Sequence, residues 1–242
     1  MNIDTFSYTD KGTRALNEDS YNISEGDTKS SIILCDGLGG HNCGEVASQT
    51  ASKLISEGIL KLDKISPEGI YSVISKVNEQ IINLQIEHRE YNGMRTTAVG
   101  CIFVGRELFY FNVGDSRFYF FKNGVLKYMT KDHSVSQMSV ELGDISFDDI
   151  RGDADRNKLL KVLGERYSGE IASIYKPLTL NKGDAFLICS DGFWEYVLEN
   201  EMEIDLSKSE TAEEWVKYMF VRLFLKMSGS NDNYTVIGGI VK

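Results

Sequence analysis

The chain has 242 residues, of which 42% are hydrophobic, and its formal net charge is −10. A chain of this length can form one β-rich domain, and no linker-like change in composition divides it, so residues 1–242 are predicted to be a single domain. The excess of acidic residues argues against a nucleic-acid-binding protein, because phosphate backbones are held by clustered Lys and Arg.

The cysteines and the first residues indicate where the protein works. There are four cysteines and no Cys-x-x-Cys spacing, and Cys35, Cys101 and Cys189 lie in apolar, strand-like runs, where a cysteine is usually a small buried hydrophobe. The first residues lack the pattern of a signal peptide, and no run approaches the roughly 18 apolar residues of a membrane span. We therefore expect a cytoplasmic protein that is not associated with a membrane.

The first predicted elements are a strand and a polar loop. Residues 3–9 have the alternation of a half-buried strand, and Gly12 marks a turn. Arg14, Glu18 and Asp19 follow in the loop. Taken alone, this polar cluster is more typical of a solvated turn than of a site.

The next stretch is the one on which the functional argument depends. The apolar residues 32–35 run into Asp36 and a group of glycines, which predicts a buried strand that presents one carboxylate where backbone approaches a ligand. A later apolar strand likewise runs into Asp191, and Asp232 immediately precedes the final strand. Carboxylates gathered in one cleft repel one another unless cations lie between them.

Two helices are predicted after the glycines. One follows Gly44 and carries small and apolar residues at helical spacing, and the other begins at Pro67 with a stripe typical of a core-facing side. The glycines do not form a dinucleotide-binding loop, because the third glycine would fall at position 42, which is Asn.

The middle of the chain is predicted to be strands. Residues 97–104, 108–113, 117–121 and 125–129 are interpreted as an antiparallel meander, whose last hairpin turns at Asn123-Gly124. Two interpretations remain open for the residues that follow the meander. Either Asp132 or Ser134 caps the next helix, or Asp132 is a further carboxylate in the cleft.

The remaining elements are less uniform. Residues 139–158 are acidic and weakly patterned, so they are expected to form a long, mobile surface segment that flanks the site. Residues 171–180 predict a strand, residues 213–226 a helix and residues 234–241 the final strand.

Polar motifs occur along nearly the whole chain: Arg14-x-x-Asn-Glu18-Asp19, Asp36-Gly-Leu-Gly-Gly-His41, Thr96-Thr97, Val113-Gly-Asp-Ser-Arg117, Thr130-Lys-Asp-His-Ser134, Leu163-Gly164, Ser190-Asp191-Gly192 and Asp232-Asn-Tyr-Thr-Val236. In this order they resemble the metal-dependent type-2C serine/threonine protein phosphatases, and the short glycine-rich form resembles their bacterial members. The resemblance implies an α+β fold, a four-layer α-β-β-α sandwich in which two antiparallel sheets are flanked by helical pairs.

The resemblance also implies a site for two Mn²⁺ or Mg²⁺ ions, with a third, weaker ion beside them. The ligands that it assigns are oxygen donors, as hard divalent cations require: Asp36 between the two ions, Glu18 and the Gly37 carbonyl on one, Asp191 and Asp232 on the other, and Asp132 with Asp191 on the third. Arg14 matches the phosphate-binding arginine, whose planar fork suits two phosphoryl oxygens.

The activity that the resemblance implies is hydrolysis of phosphoserine and phosphothreonine on proteins by a metal-activated water, without a covalent phosphoenzyme. Phosphorylated proteins would be the partners of a monomer that opposes a serine/threonine kinase. A non-catalytic regulatory relative is an alternative, but such a relative would be expected to have lost a metal carboxylate. A phosphatase for a small phosphorylated metabolite is a third hypothesis.

Departures from the family's pattern concern the surroundings of the predicted ligands. Arg95 precedes the two threonines, Lys161-Val162 precedes Leu163, and Leu38 stands where some relatives carry a histidine proposed as general acid. A side-chain acid would have to come from elsewhere, and His41 is a candidate, although it is equally a loop histidine. These departures bear on substrate choice and not on the metal ligands.

Overall fold

The computed structural model describes residues 2–39 and 43–242. Its strands are β1 (Ile3–Asp10), β2 (Asp19–Glu25), β3 (Lys29–Leu38), β4 (Arg95–Thr96), β5 (Ala98–Val104), β6 (Glu107–Val113), β7 (Arg117–Lys122), β8 (Val125–Met129), β9 (Ser173–Ile174), β10 (Leu178–Thr179), β11 (Ala185–Cys189) and β12 (Tyr234–Val241). Its helices are α1 (Cys43–Lys61), α2 (Pro67–Glu87), α3 (Val135–Leu142), α4 (Asp191–Trp194), α5 (Glu199–Leu206) and α6 (Ala212–Lys226), with 3-10 helices at Arg89–Tyr91 and Phe147–Gly152.

The strands form two antiparallel sheets. One sheet has the order β1-β12-β11-β7-β8, and the other has the order β10-β6-β5-β3-β2, with β4 paired to β3 and β9 paired to β6. Strand β12 lies between β1 and β11, with Ile3 opposite Val241 and Cys189 opposite Val236.

Three hydrophobic cores separate four layers. In β3, Ile33 and Cys35 face the core under α1 and α2, whereas Ile32 and Leu34 face the core between the sheets. A third core, which includes Trp215 of α6, lies beneath α5 and α6 on the outer face of the other sheet. Successive side chains of β3 point to opposite faces of the sheet, and each face is covered by a core. The predicted α+β sandwich with two antiparallel sheets is therefore confirmed.

The prediction of a continuous meander is wrong, because β6 and β7 lie in different sheets. The chain crosses between the sheets at Gly114, whose φ of +95° lies in the left-handed region that favours glycine. Both strands are buried along nearly their whole length, so their sequences show no polar face to indicate which neighbour each strand takes. The predicted hairpin is present, with positive φ at Asn123 and Gly124.

Two other segments differ from the expectation. Residues 139–158 contain the end of α3 and a 3-10 helix whose Ile150 is 1% exposed in the core beneath α5 and α6, so this segment is anchored. Residues 171–180 form two short strands, β9 and β10, which pair with separate parts of β6. None of the described helices is long and apolar enough to cross a membrane.

Candidate metal centre

The acidic residues predicted at strand ends meet at one end of the sandwich. Asp36 lies inside β3, because this strand continues past the apolar run to Leu38, and it is opposite Asp19, the first residue of β2. Asp191 begins α4 directly after β11, and Asp232 precedes β12. Strands β11 and β12 are antiparallel, so the end of one lies beside the start of the other.

Backbone hydrogen bonds hold Asp36 and Gly37 in position. The Asp36 carbonyl accepts hydrogen bonds from Thr97 N and Thr96 Oγ1, both at 2.8 Å, and Gly37 N donates to Glu18 O at 3.1 Å. A Cβ on residue 37 would overlap the Gly44 carbonyl. Glycine at this position therefore permits the close approach of backbone that the sequence predicted. Gly40 and His41 of the same motif lie outside the described residues.

Glu18 meets the start of α1. Its carboxylate accepts a hydrogen bond from the Gly44 backbone, and a Cβ on residue 44 would lie 2.6 Å from Glu18 Oε1. Burial, followed by repulsion from Asp232, raises the pKa of Glu18, while the Gly44 hydrogen bond opposes the increase. Gly44 thus makes room for a carboxylate and donates to it.

Asp36 and Asp191 are in direct contact through their side chains, which share a hydrogen bond. Burial raises the pKa of Asp191 to about 7, with further contributions from Glu195 and Asp232. Burial and repulsion from Asp19 and Asp191 raise the pKa of Asp36 well above its usual range. Two buried carboxyl groups that are hydrogen-bonded to each other share a proton in the absence of a cation.

Asp232 forms an ion pair with Arg14, to which the family resemblance assigned phosphate binding. Arg14 Nη2 lies 2.7 Å from Asp232 Oδ2, and the two side chains are 58% and 43% exposed. The predicted phosphate ligand and one predicted metal ligand are therefore neighbours at the open edge of the site.

Asp132 is paired with a buried arginine. Its two carboxylate oxygens accept from Arg117 Nε and Nη2 at 2.8 and 2.7 Å, and Arg117 is fully buried, with its guanidinium 3.5 Å from the centroid of the Trp194 ring. The proposed cap at Asp132 is wrong, because Ser134 caps α3 and accepts from Gln137 N at 3.2 Å. A metal-binding role for Asp132 stays a prediction, but Arg117 engages both of its oxygens.

Two buried acids were not assigned roles from the sequence. Asp19 Oδ2 accepts from Thr235 Oγ1 at 2.7 Å and from Ser190 Oγ at 2.8 Å, whereas its buried Oδ1 has no hydrogen-bond partner. Burial raises the pKa of Asp19 to about 6. Asp115, 5% exposed, has its pKa raised well above the usual range by burial and then by repulsion from Asp191. The sequence contains a signal for each residue, since Asp19 ends the motif that begins at Arg14 and Asp115 lies in the motif Val113-Gly-Asp-Ser-Arg117.

The chemistry of this donor set fits divalent cations. The groups at this end of the sandwich are carboxylates and one backbone carbonyl, and the orphaned Asp19 oxygen is a buried acceptor that a cation or its water would satisfy. Over residues 2–39 and 43–242, however, no three His, Cys, Asp or Glu side chains already surround a common ion position. Mutual repulsion and the Arg14 ion pair account for carboxylates that are near one another but not converged.

Sequence comparison identifies relatives along most of the chain. A family model described as protein phosphatase 2C matches residues 10–229. The serine/threonine phosphatase Stp of Listeria monocytogenes is 33% identical over 237 residues, covering 95% of this chain and 92% of the relative. The Mycobacterium tuberculosis phosphatase PstP is 30% identical, and the match covers 43% of that longer protein.

Solved structures resemble the fold over its whole length. The serine/threonine phosphatase Stp1 of Staphylococcus aureus superposes with a TM-score of 0.86 at 30% identity, covering 100% of this chain and 96% of that one. The catalytic domain of PstP, in a complex with two manganese ions, gives a TM-score of 0.78 at 27% identity, with 99% of each chain covered.

Proposed function

The chain belongs to the protein phosphatase 2C family and is a serine/threonine protein phosphatase, and from this premise we propose how its acidic site works. We propose that the site hydrolyses phosphoserine and phosphothreonine with two divalent ions and water, and without a covalent phosphoenzyme. The observation that carries this proposal is the meeting of Asp36 and Asp191, whose raised pKa values mark carboxyl groups lacking a compensating charge.

The residues that would hold Mn²⁺ or Mg²⁺ are Glu18, Asp36, the Gly37 carbonyl, Asp191 and Asp232. When bound, two such ions supply a water that loses its proton near neutral pH and neutralise charge on the transferred phosphoryl group. The chain's own hydrogen bonds hold the carboxylates in position. Thr96 and Thr97 fix the Asp36 backbone, and Ser190 and Thr235 fix Asp19 beside it.

Arg14 is the residue that we propose binds the phosphoryl group. Only its Nη2 donates to Asp232, and the side chain is more than half exposed, so its other N–H groups are accessible to substrate. A guanidinium matches two phosphoryl oxygens in a bidentate contact. Its ion pair with Asp232 keeps that fork at the edge of the carboxylate cluster.

A third ion, if bound, is better supported at Asp115 than at Asp132. Burial, followed by repulsion from Asp191 and Asp132, raises the pKa of Asp115, so its carboxyl group is near that of Asp191, whereas Asp132 is paired with Arg117. Asp115 also precedes the strand β7 by two residues, and its carbonyl accepts from Trp194 Nε1 at 2.9 Å. We therefore propose that Asp115 and Asp191 share any third site.

The proposed partners are phosphorylated proteins, whose phosphorylation a serine/threonine kinase would supply, and the proposed form is a cytoplasmic monomer. Cys35, Cys101 and Cys189 are buried free thiols, as a reducing compartment favours. The net charge of −10 argues against nucleic acid as a partner.

Metal-dependent turnover tests the proposal. Purified protein should hydrolyse a phosphothreonine peptide with Mn²⁺ or Mg²⁺, lose activity in excess chelator and regain it when the metal is restored. Full turnover in chelator, or a trapped phosphoenzyme, would contradict the mechanism. Hydrolysis of p-nitrophenyl phosphate and small phosphorylated metabolites without peptide turnover would favour the metabolite alternative, and metal binding without any turnover would favour a regulatory module.

A further inference from the structure

A cavity of about 440 Å³, lined by both charged and apolar side chains, lies beside the catalytic end of the sandwich and has no part in the mechanism above. Its lining includes Lys131, His133, Gln137, Glu141, Lys161 and Tyr175. Resting on the proposed function, we propose that this cavity binds an anionic group of the phosphoprotein substrate. The group is a carboxylate side chain or a second phosphate that flanks the hydrolysed residue in sequence.

Hydrogen bonds connect the cavity to the carboxylate cluster on one side. His133 N donates to Gly114 O at 2.8 Å, and Gly114 N donates to His133 Nδ1 at 3.2 Å. These two bonds fix His133 against the turn that carries Asp115. The cavity wall is therefore bonded directly to the turn that carries Asp115.

A second connection runs along residues 160–163. Leu160 N donates to His133 O at 2.7 Å, and Leu163 exchanges hydrogen bonds with Thr96, whose Oγ1 donates to Asp36 O. Lys161 therefore lies on the short stretch that joins the cavity to the backbone beside Asp36.

The length of this path sets the position of the anionic group in the substrate. Gly37 pairs with Thr96, and Thr96 with Leu163, so two strand spacings and two residues along the chain separate Gly37, beside Asp36, from Lys161. With about 4.8 Å per strand spacing and 3.3 Å per residue, the backbone separation is roughly 12 Å. An extended peptide covers that separation in about three or four residues.

The charges in the cavity favour an anion. Lys131 Nζ lies 3.0 Å from Glu141 Oε1, and Arg117 matches Asp132, so these charges cancel in pairs. The ammonium group of Lys161 has neither an ion pair nor a hydrogen bond within the part of the chain that the structure describes. One uncompensated positive charge thus belongs to the lining of the cavity, in a protein whose net charge is −10.

Apolar surface at the rim suits a peptide better than a free ion. Met138 and Leu160 line the cavity and are each 45% exposed. Side chains of a substrate segment can pack on these residues while its anionic group reaches Lys161. Such contacts would contribute to substrate choice without touching the reacting phosphate.

Matched peptides test the proposal. Each carries one phosphothreonine and, three or four residues away on either side, Glu, a second phosphothreonine or Gln. The ratio of kcat/KM for an anionic peptide over the Gln peptide should exceed one for the native protein and fall about fivefold to twentyfold in Lys161→Ala, mainly through KM. Comparing Glu with phosphothreonine identifies which anion the cavity prefers.

Two control variants separate this site from general charge effects. Lys161→Arg should preserve the ratio, and Lys182→Ala should leave it unchanged, because Lys182 is exposed in the turn before β11, at the opposite end of that strand from Asp191. An unchanged ratio in Lys161→Ala, or an equal fall in Lys182→Ala, would overturn the inference. Failure of the native protein to hydrolyse even the Gln peptide would contradict the proposed function itself.

Discussion

Arg14 joins substrate binding to metal binding in one contact. Because Asp232 has one oxygen engaged by Arg14 Nη2, Arg14→Ala should remove a phosphate ligand and also free a metal ligand. We expect kcat/KM to fall roughly tenfold to a hundredfold, chiefly through KM, with no loss of Mn²⁺ affinity. Kinetics and calorimetric Mn²⁺ titration on the same preparation measure both quantities.

The matched comparison is Asp36→Asn. This substitution should weaken Mn²⁺ binding and nearly abolish turnover at every substrate concentration, because the carboxylate proposed to bridge the ions is gone. The fold should survive, since the repulsion that Asp19 and Asp191 exert on the buried Asp36 carboxylate is removed. The assignment would be wrong if Arg14→Ala lost the metals while Asp36→Asn kept both metals and rate.

Asp132 distinguishes a structural role from a catalytic one. Asp132→Ala leaves the fully buried guanidinium of Arg117 without its carboxylate, and breaking a buried ion pair costs about 3–5 kcal/mol. Urea unfolding should show this loss of unfolding free energy. The control is Asp155→Ala, which removes an exposed ion pair with Lys158 and should cost less than about 1 kcal/mol. Slower turnover at saturating Mn²⁺ with unchanged stability would instead support Asp132 as a metal ligand.

The short helix α4 must fit closely against the start of β12. A Cβ on residue 192 would overlap the Asn233 carbonyl, so Gly192→Ala should push the start of α4, and Asp191 with it, away from Asp232. We expect a loss of about 1–3 kcal/mol in stability together with weaker Mn²⁺ binding. Thermal unfolding and Mn²⁺ titration check this outcome. Gly169→Ala is the control, because nothing lies within 4 Å of its added Cβ.

The elements that could be predicted have either one clear period of hydrophobic residues or one characteristic turn sequence. Strand β1, helix α2 and the Asn123-Gly124 hairpin satisfy these conditions, and their local sequences determine them. The assignment of β6 and β7 to different sheets could not be predicted, because both strands are apolar on both faces. Helix α5, whose hydrophobic pattern is weak, was not predicted either.

The site was predictable to a similar extent. The positions of Asp191 and Asp232 at strand ends followed from the pattern of apolar runs, whereas β3 continues past Asp36 to Leu38. The roles of all three as ligands came from the family resemblance and stay proposals. The pairing of Asp132 with Arg117 depends on where β7 lies after the sheet crossing. Because the crossing was not predicted, neither was this pairing.

At the scale of the whole molecule, the stabilisation of the protein by bound metal should depend on pH. Burial raises the pKa of Asp191 to about 7 and of Asp19 to about 6, so these groups favour the metal-free native state most at low pH. That contribution is lost as pH rises through the two raised values. Metal binding displaces the same protons, so Mn²⁺ affinity should increase as pH rises from about 5.5 to 8.

Melting temperatures with and without Mn²⁺ test this coupling. The stabilisation by Mn²⁺ should grow across that pH range, and a constant or shrinking difference would contradict it. His133 contributes in the opposite direction: burial lowers its pKa to about 4, so its neutral ring loses stabilising effect as pH falls below about 6.5. Because His133 affects metal-free and metal-loaded protein alike, the difference between them isolates the carboxylates.

The central position of β12 affects the order of events during synthesis. A ribosome releases β1 first and β12 last among the described strands, yet β12 is the strand that joins β1 to β11. Until it emerges, β1 has no partner in its sheet and β11 keeps an open edge. Such edges template association with other chains. A nascent chain should therefore depend on holding factors until Asp232 and β12 leave the exit tunnel, and catalysis should begin only after translation of this strand is finished.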